Sequence, residues 1–326
     1  AAAYREASTG HPASEWAARA LLGEARCRTA LGQWTVAAEL LQRVRDRHPR
    51  RPEAEMAKAW NTLLFRLYAR PLDPYRFTGR VIPGPARKLK GMDLLRVSPD
   101  DTVIFAGSRE NRLGFEIRST RQIGVADIAV VALLARRVGE LLPVRATGMI
   151  RRDSLVEFSA PGNDGPAVPL REIRAAVLTS LDQVIVSDRR RASLDRFDLN
   201  GRFLDTLAKV SAVRLAVDPE DRVASIADDA KEIVLLASDG KFAGRVPASG
   251  PGFRKPVDIT FDALGHLYVL DRDAAGVLVF GPQDFSQPLV RVGTAAKTPD
   301  AFRRARAMAL DSTGQLFIYD EGAGGI

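Results

Sequence analysis

The sequence predicts an α + β chain in two parts: a short α-helical hairpin array, then an all-β propeller of short four-stranded sheets. Three observations carry that reading. Apolar residues recur at helical spacing through the first seventy residues and at strand spacing afterwards. A strand–turn–strand unit recurs five times between residues 95 and 320. The chain has 326 residues and 46% hydrophobic content, enough to pack two domain cores.

Residues 14–31 carry Trp16, Ala17, Ala20, Leu21, Ala25 and Leu31 on one helical stripe, with Ser14 as N-cap and Gly32 as turn. Residues 34–47 repeat the periodicity with Trp34, Ala37, Leu40, Leu41 and Val44, and Pro49 stops the run. Two such helices joined at a glycine form a helical hairpin. Gly32, Trp34, Ala37, Leu41, Val44 and Pro49 resemble the tetratricopeptide pattern of turn glycine, aromatic, small, large, small and terminal proline. His11-Pro12 recurs as His48-Pro49, 37 residues on, near the unit length of about 34 in that family. On this resemblance, residues 4–12 end one repeat and residues 53–69 begin another, before Pro71 and Pro74 close the helical region. It also implies a concave surface on the first helix, with Arg19, Arg26 and Thr29 as candidate partner contacts. Core packing is the expected role of Trp16, Trp34, Trp60 and the single cysteine, Cys27.

Segments 95–107, 176–188, 215–228, 259–271 and 308–320 each read as an apolar strand, a polar turn and a second strand ending in a small residue or Asp. The 176–188 copy reads as one residue shorter before its turn. Pro99-Asp100-Asp101, Pro219-Glu220-Asp221 and Leu264-Gly265 mark hairpins. Third strands follow at 112–115, 194–197, 233–236 and 277–280, and fourth strands follow turns such as Leu199-Asn200-Gly201. Four antiparallel strands per unit make a propeller blade. Val177, Ala216, Thr260 and Ala309 stand 39, 44 and 49 residues apart. A degenerate blade is therefore expected near 120–165, giving six blades, although residues 125–142 lack turn residues. The last repeat stops at Gly325-Ile326, and Tyr75-Arg76-Phe77 and Arg80-Val81-Ile82 are candidates for its missing outer strand. The expected domains are 1–70 helical, 71–91 a linker able to supply that strand, and 92–326 propeller.

The segment from Val257-Asp258-Ile259 to Phe280, the Asn111-Arg112-Leu113 step and Phe197-Asp198-Leu199-Asn200-Gly201 resemble the NHL repeat. That family implies a six-bladed propeller whose second-to-third-strand loops share one face. Here those loops carry Arg109, Arg112, Arg189, Arg190, Arg191 and Arg272 as candidate partner contacts. Asp188, Asp228, Asp271 and Asp320 stand beside them, read as turn caps. Half of the face reads basic and half acidic, which suits a protein partner of complementary charge.

Net charge is +8. The excess of Arg over Lys and the abundance of Ala also follow from a GC-rich coding sequence, so the charge is set aside as a functional signal. Three histidines and one cysteine provide no metal-ligand pattern, and no catalytic or cofactor fingerprint appears. The expectation is a non-enzymatic protein–protein interaction scaffold with no cofactor or metal. The helical repeats are similar to those of bacterial envelope lipoproteins. The resemblance implies a periplasmic or outer-membrane-associated subunit, with a cytoplasmic location as the alternative. No apolar run is long enough to span a membrane, so peripheral attachment through a missing N-terminal anchor is the expected mode. The alternatives are a hydrolase or lyase using channel carboxylates, or an RNA-binding NHL propeller. RNA is disfavoured because the aromatics fall at strand positions rather than on exposed loops.

Overall fold

The structure is a computed structural model. It describes residues 1–69, 75, 92–108, 112–136, 140–162, 166–227, 232–247, 254–274, 276–293, 301–322 and 326. The expected strands at 75–77 and 80–82 lie outside the described residues, apart from Tyr75.

Four helices come first: α1 (Ala2–Gly10), α2 (Ala17–Ala30), α3 (Trp34–Arg47) and α4 (Pro52–Leu64), the last running into a π-helical turn at Phe65–Ala69. Gly32, at φ +72°, supplies the left-handed residue between α2 and α3. Pro52 opens α4 where its missing N–H has no helical acceptor to lose. Ala25, Ala37 and Ala57 are fully buried, so the helices approach closely around Leu21, Leu41, Val44 and Trp60. Trp16 departs from its expected core role. It stands one residue before α2 and is 59% exposed, with the Arg19 guanidinium 5.0 Å from its ring centre.

The β-part is a propeller. Blade one holds β1 (Leu94–Val97), β2 (Val103–Gly107), β3 (Leu113–Ile117) and β4 (Gln122–Ala126). Blade two holds β5 (Ala132–Ala135), β6 (Leu141–Val144), β7 (Gly148–Arg151) and β8 (Ser154–Glu157), followed by a ribbon of β9 (Ser159–Pro161) and β10 (Ala167–Pro169). Blade three holds β11 (Ile173–Leu178), β12 (Val184–Asp188), β13 (Ser193–Phe197) and β14 (Phe203–Ala208). Blade four holds β15 (Ala212–Val217), β16 (Val223–Ala227), β17 (Glu232–Leu236) and β18 (Phe242–Pro247). Blade five holds β19 (Pro256–Phe261), β20 (Leu267–Asp271), β21 (Gly276–Phe280) and β22 (Pro288–Val292). Then β23 (Ala305–Leu310) and β24 (Leu316–Asp320) pair as a two-stranded sheet.

Six blades were expected; five four-stranded blades are present among the described residues, and the sixth repeat contributes one hairpin. Its inner strand β23 packs between β19 and β1. Met92, Leu95 and Ile104 meet Ala307, Ala309, Phe317 and Tyr319 across that junction. Blade two was hard to place because it lacks a glycine turn. β7 and β8 are joined by Arg152-Asp153, both at positive φ, a type I′ arrangement that Asp tolerates.

One local device builds every hairpin between a first and second strand outside blade two. A short side chain, Ser98, Thr179, Asp218, Asp262 or Asp311, opens the turn and accepts the N–H four residues on. The residue three on is left-handed: Asp101, Asp182, Asp221, Gly265 or Gly314. This is the hydrogen bonding that makes Asp, Ser and Thr turn formers. All five turns have the same length, so the 176–188 copy is not shorter than the others.

These turns seat the helical module. Leu264 and Ala263 insert into the helical core. Trp34 stacks on Tyr68 with centroids 6.0 Å apart and an interplanar angle of 7°. The Tyr68 hydroxyl lies 2.8 Å from His266 Nε2, and His266 Nδ1 lies 2.8 Å from Asp262 Oδ2. Tyr268 donates to the same carboxylate oxygen at 3.3 Å, and Tyr75 reaches the Tyr268 hydroxyl at 3.1 Å. Burial, with the nearby Asp262 charge second, pushes both Tyr68 and Tyr268 above the ordinary tyrosine range. Arg66 donates to the Gly314 carbonyl, and Arg26 to the Pro219 carbonyl at 3.4 Å. The module thus covers the turn end of the fourth, fifth and sixth repeats.

Candidate interaction face

The opposite end of the propeller is built from two sets of loops. Four antiparallel strands alternate in direction, so the second-to-third-strand loops and the connections into the next blade emerge together. Buried aspartates tie the two sets to each other. Asp188 Oδ2 accepts from the N–H groups of Glu172 and Arg171 at 3.0 and 3.3 Å, while Oδ1 accepts from Arg190 and Arg191 at 2.9 and 3.2 Å. Asp271 accepts from Arg254 and Lys255 on one side and from Asp273 and Ala274, at 2.9 and 2.8 Å, on the other. Asp320 accepts from Arg303 at 2.6 Å, Arg304 at 2.9 Å and Gly322 at 2.8 Å. All three aspartates are buried. A carboxylate accepting several backbone N–H groups is a strong, charge-assisted anchor.

The same clamps display cations. The backbones they hold carry Arg171, Arg190, Arg254, Lys255, Arg303 and Arg304, all exposed. Arg189 is exposed beside them. Some of this charge is locally paired: Arg190 with Glu172 at 2.8 Å, and Arg304 and Arg306 with Glu321 at 3.4 and 2.8 Å. Arg171, Arg189, Arg254, Lys255 and Arg303 have no carboxylate partner among the described residues. Among the described residues of these loops, cations therefore outnumber exposed carboxylates. Of the carboxylates read as the acidic half of the face, Asp271 and Asp320 are buried clamps, Asp273 and Glu321 reach the surface beside arginines, and Asp228 and Asp229 lie outside the described residues. No exposed aromatic accompanies the cations among the described residues of these loops; Phe158 is buried and Phe302 packs into the core.

The sequence-predicted contacts fall into three groups. Arg189 is exposed with no carboxylate partner among the described residues, Arg190 pairs with Glu172, Arg272 lies 3.3 Å from Asp273, and Arg112 lies 3.2 Å from Asp127. Arg191 is partly withdrawn, bonded to the buried Asp195 at 2.7 Å and the Pro161 carbonyl at 2.8 Å. Arg109 lies outside the described residues. The helical candidates are elsewhere: Arg19 is exposed and bonded to Glu53 at 2.9 Å, far from the basic loops. Arg26 serves docking within the chain, reaching Pro219 and lying 3.9 Å from Glu220. Thr29 is a correction. It is buried, and its hydroxyl donates to the Ala25 carbonyl at 3.0 Å, so it presents nothing to a partner.

Arg171, Arg254, Lys255, Arg303 and Arg304 were missed. Their signal was a spacing: each blade-entry pair sits 17 and 16 residues before its clamping Asp. Chemically the described part of the face offers an array of cationic donors on hydrogen-bonded backbone. Among the described residues no group of three His, Cys, Asp or Glu side chains is placed to hold a metal ion, and no helix is long and apolar enough to cross a membrane.

No family model matches the chain, and no curated protein matches it in sequence. Solved structures do. The WD40 β-propeller domain of Doa1 superposes with a TM-score of 0.51 at 13% identity, over 71% of this chain and 76% of that one. A chain of the mitotic checkpoint complex superposes with a TM-score of 0.49 at 11% identity, over 71% of this chain and 85% of that one. The likeness to the Doa1 domain shows a β-propeller fold.

Proposed function

We propose that this protein is a non-enzymatic interaction scaffold whose basic propeller face docks an acidic segment of a protein partner. The observation that carries the proposal is the set of cations without a carboxylate partner among the described residues, Arg171, Arg189, Arg254, Lys255 and Arg303, on or beside the clamped backbones of one surface. A fixed array of one sign focuses the local field and speeds capture of an oppositely charged partner. Because buried aspartates hold the backbone N–H groups of Arg171, Arg254, Lys255 and Arg303, little conformational entropy is lost at these positions on docking. An acidic peptide is favoured over single-stranded RNA, which needs exposed rings for stacking. The helical module, seated on the far end, leaves this face clear.

Within the proposal, the helical array is tetratricopeptide-like and the propeller a six-bladed, NHL-like ring. The chain is a subunit of a bacterial cell-envelope assembly on the periplasmic side. The repeat residues and the placement of β23 between β19 and β1 support the first two statements. The compartment rests on the resemblance to envelope proteins alone. The test is site-specific photocrosslinking in cells, with the photoreactive residue at Arg189 or Arg303 and, as control, at Arg45 on α3. Crosslinks to an acidic protein segment from the first two positions alone are expected. Equal capture from Arg45, or crosslinks to RNA, contradicts the reading.

A further inference from the structure

The exposed cations of the loop end are not spread evenly around the ring. Six inner strands, β1, β5, β11, β15, β19 and β23, pack in that order around the axis, with β23 returning to β1. One cluster of cations stands where blades two and three meet. Arg171 precedes β11, Arg189 and Arg190 follow β12, and Arg145 lies in the β6–β7 loop. The Ile173 N–H donates to the Ala146 carbonyl and the Arg189 N–H to the Glu172 carbonyl, each at 3.0 Å, so the three loops form one hydrogen-bonded unit. Arg145, Arg171 and Arg189 are exposed and have no carboxylate partner among the described residues.

The second cluster stands where blades five and six meet. Arg254 and Lys255 precede β19, Arg272 follows β20, and Arg303 and Arg304 precede β23. The Arg272 N–H donates to the Lys255 carbonyl at 3.1 Å and the Glu321 N–H to the Arg304 carbonyl at 3.2 Å. Here Arg254, Lys255 and Arg303 are the exposed cations without a carboxylate partner among the described residues. In a ring of six inner strands the two junctions are half a turn apart, on opposite sides of the axis. The arcs between them are closer to neutral among the described residues. On blade one, Arg112 lies 3.2 Å from Asp127, whose side chain is 85% exposed, and Asp93 stands just before β1. On blade four, Arg245 pairs with Glu232 at 3.0 Å and Lys209 is exposed. Across the middle, Arg214 of β15 donates to the Asp93 carbonyl at 3.0 Å, so protein lies between the two clusters.

Given the acidic protein partner proposed above, on which this rests, we infer that the partner carries two acidic stretches joined by an uncharged one, and that each acidic stretch docks on one cluster. Packed sheets lie about 10 Å apart, so opposite inner strands of a six-strand ring stand about 20 Å apart. An extended chain crosses that distance in about six residues at about 3.3 Å each, which sets the least length of the uncharged stretch. A continuous acidic run would lay part of its charge over Asp93 and Asp127, where like charges repel. Two linked stretches avoid that cost. Once one is bound, the other meets its cluster at the high local concentration that the linker sets.

The experiment is fluorescence anisotropy on the full chain at low ionic strength with three synthetic peptides. The first is a block of four glutamates, the second is two such blocks joined by about eight Gly and Ser residues, and the third is eight contiguous glutamates. The two-block peptide is expected to bind at least about tenfold more tightly than the single block, and more tightly than the contiguous peptide of equal charge. Arg171→Glu with Arg189→Glu, and separately Arg254→Glu with Arg303→Glu, are each expected to abolish that gain. Arg43→Glu with Arg45→Glu on α3 changes net charge equally and is expected to keep it. The comparison of peptides needs wild type alone, so it holds whether or not a variant folds. Equal affinity for one block and two, or loss of the gain from one cluster's variant only, overturns two-cluster docking and leaves a single docking patch standing. No salt-sensitive binding of any peptide overturns the acidic-partner reading, and two-cluster docking with it.

Discussion

The two ends of the propeller use one residue type in opposite ways. At the turn end, Asp218, Asp262 and Asp311 close hairpins, and the helical module covers the result. At the loop end, Asp188, Asp271 and Asp320 clamp two backbones each and leave basic side chains in water. Both sets of aspartates are buried, so neither contributes surface charge. What distinguishes the ends is what lies over them: the helical module packs onto the turns through contacts such as Leu264, whereas the clamped loops carry exposed Arg and Lys. An aspartate in a repeat therefore says little about a face until its acceptors are known.

The sharpest way to break this comparison is to remove a clamp. Asp271→Ala leaves four backbone N–H groups without their acceptor. A loss of roughly 3 kcal/mol in urea unfolding is expected; a loss within experimental error would mean that the loops hold themselves. Tyr68→Phe tests the covered end. It deprives buried His266 Nε2 of its partner, and a cost of about 1–2 kcal/mol is expected by the same measurement.

Asp258 gives a pH-dependent test of the axis between the two ends. Its folded pKa lies above its unfolded value because of burial, so the native state binds the extra proton. Stability is then lost as pH rises from the unfolded value through the folded one. Asp258→Asn is expected to remove that part of the decline, seen as diverging stability-versus-pH curves. Parallel curves would contradict a buried, ionising carboxylate. The smallest effect belongs to the loop surface itself. Arg254→Glu with Arg303→Glu is expected to change stability by less than about 0.5 kcal/mol, because neither side chain has a partner among the described residues.

Much of the fold was legible because its devices are local. A turn from Ser98 to Thr102 or from Asp262 to His266 is complete within five residues, so sequence alone marks it. Blade two was not legible, since Arg152-Asp153 does the work usually left to glycine. The clamps were half legible. The aspartates recur visibly, but their acceptor role joins residues 16 and 17 positions apart, and the cations gain meaning only from that link. The axial group was not legible at all: Arg96, Arg214 and Asp258 come from three different blades. Trp16 and Thr29 show the limit of repeat positions, which give a helix stripe but not which members a neighbour covers.

The most direct test of the basic docking face is the binding of a fluorescent polyglutamate peptide, followed by anisotropy. Wild type is compared with the Arg254→Glu, Lys255→Glu, Arg303→Glu triple variant and with a control reversing Arg43, Arg45 and Arg47 on α3. Salt-sensitive binding to wild type and control, lost in the face variant, is the result predicted. Equal loss in both variants, or equal binding by all three proteins, would contradict it.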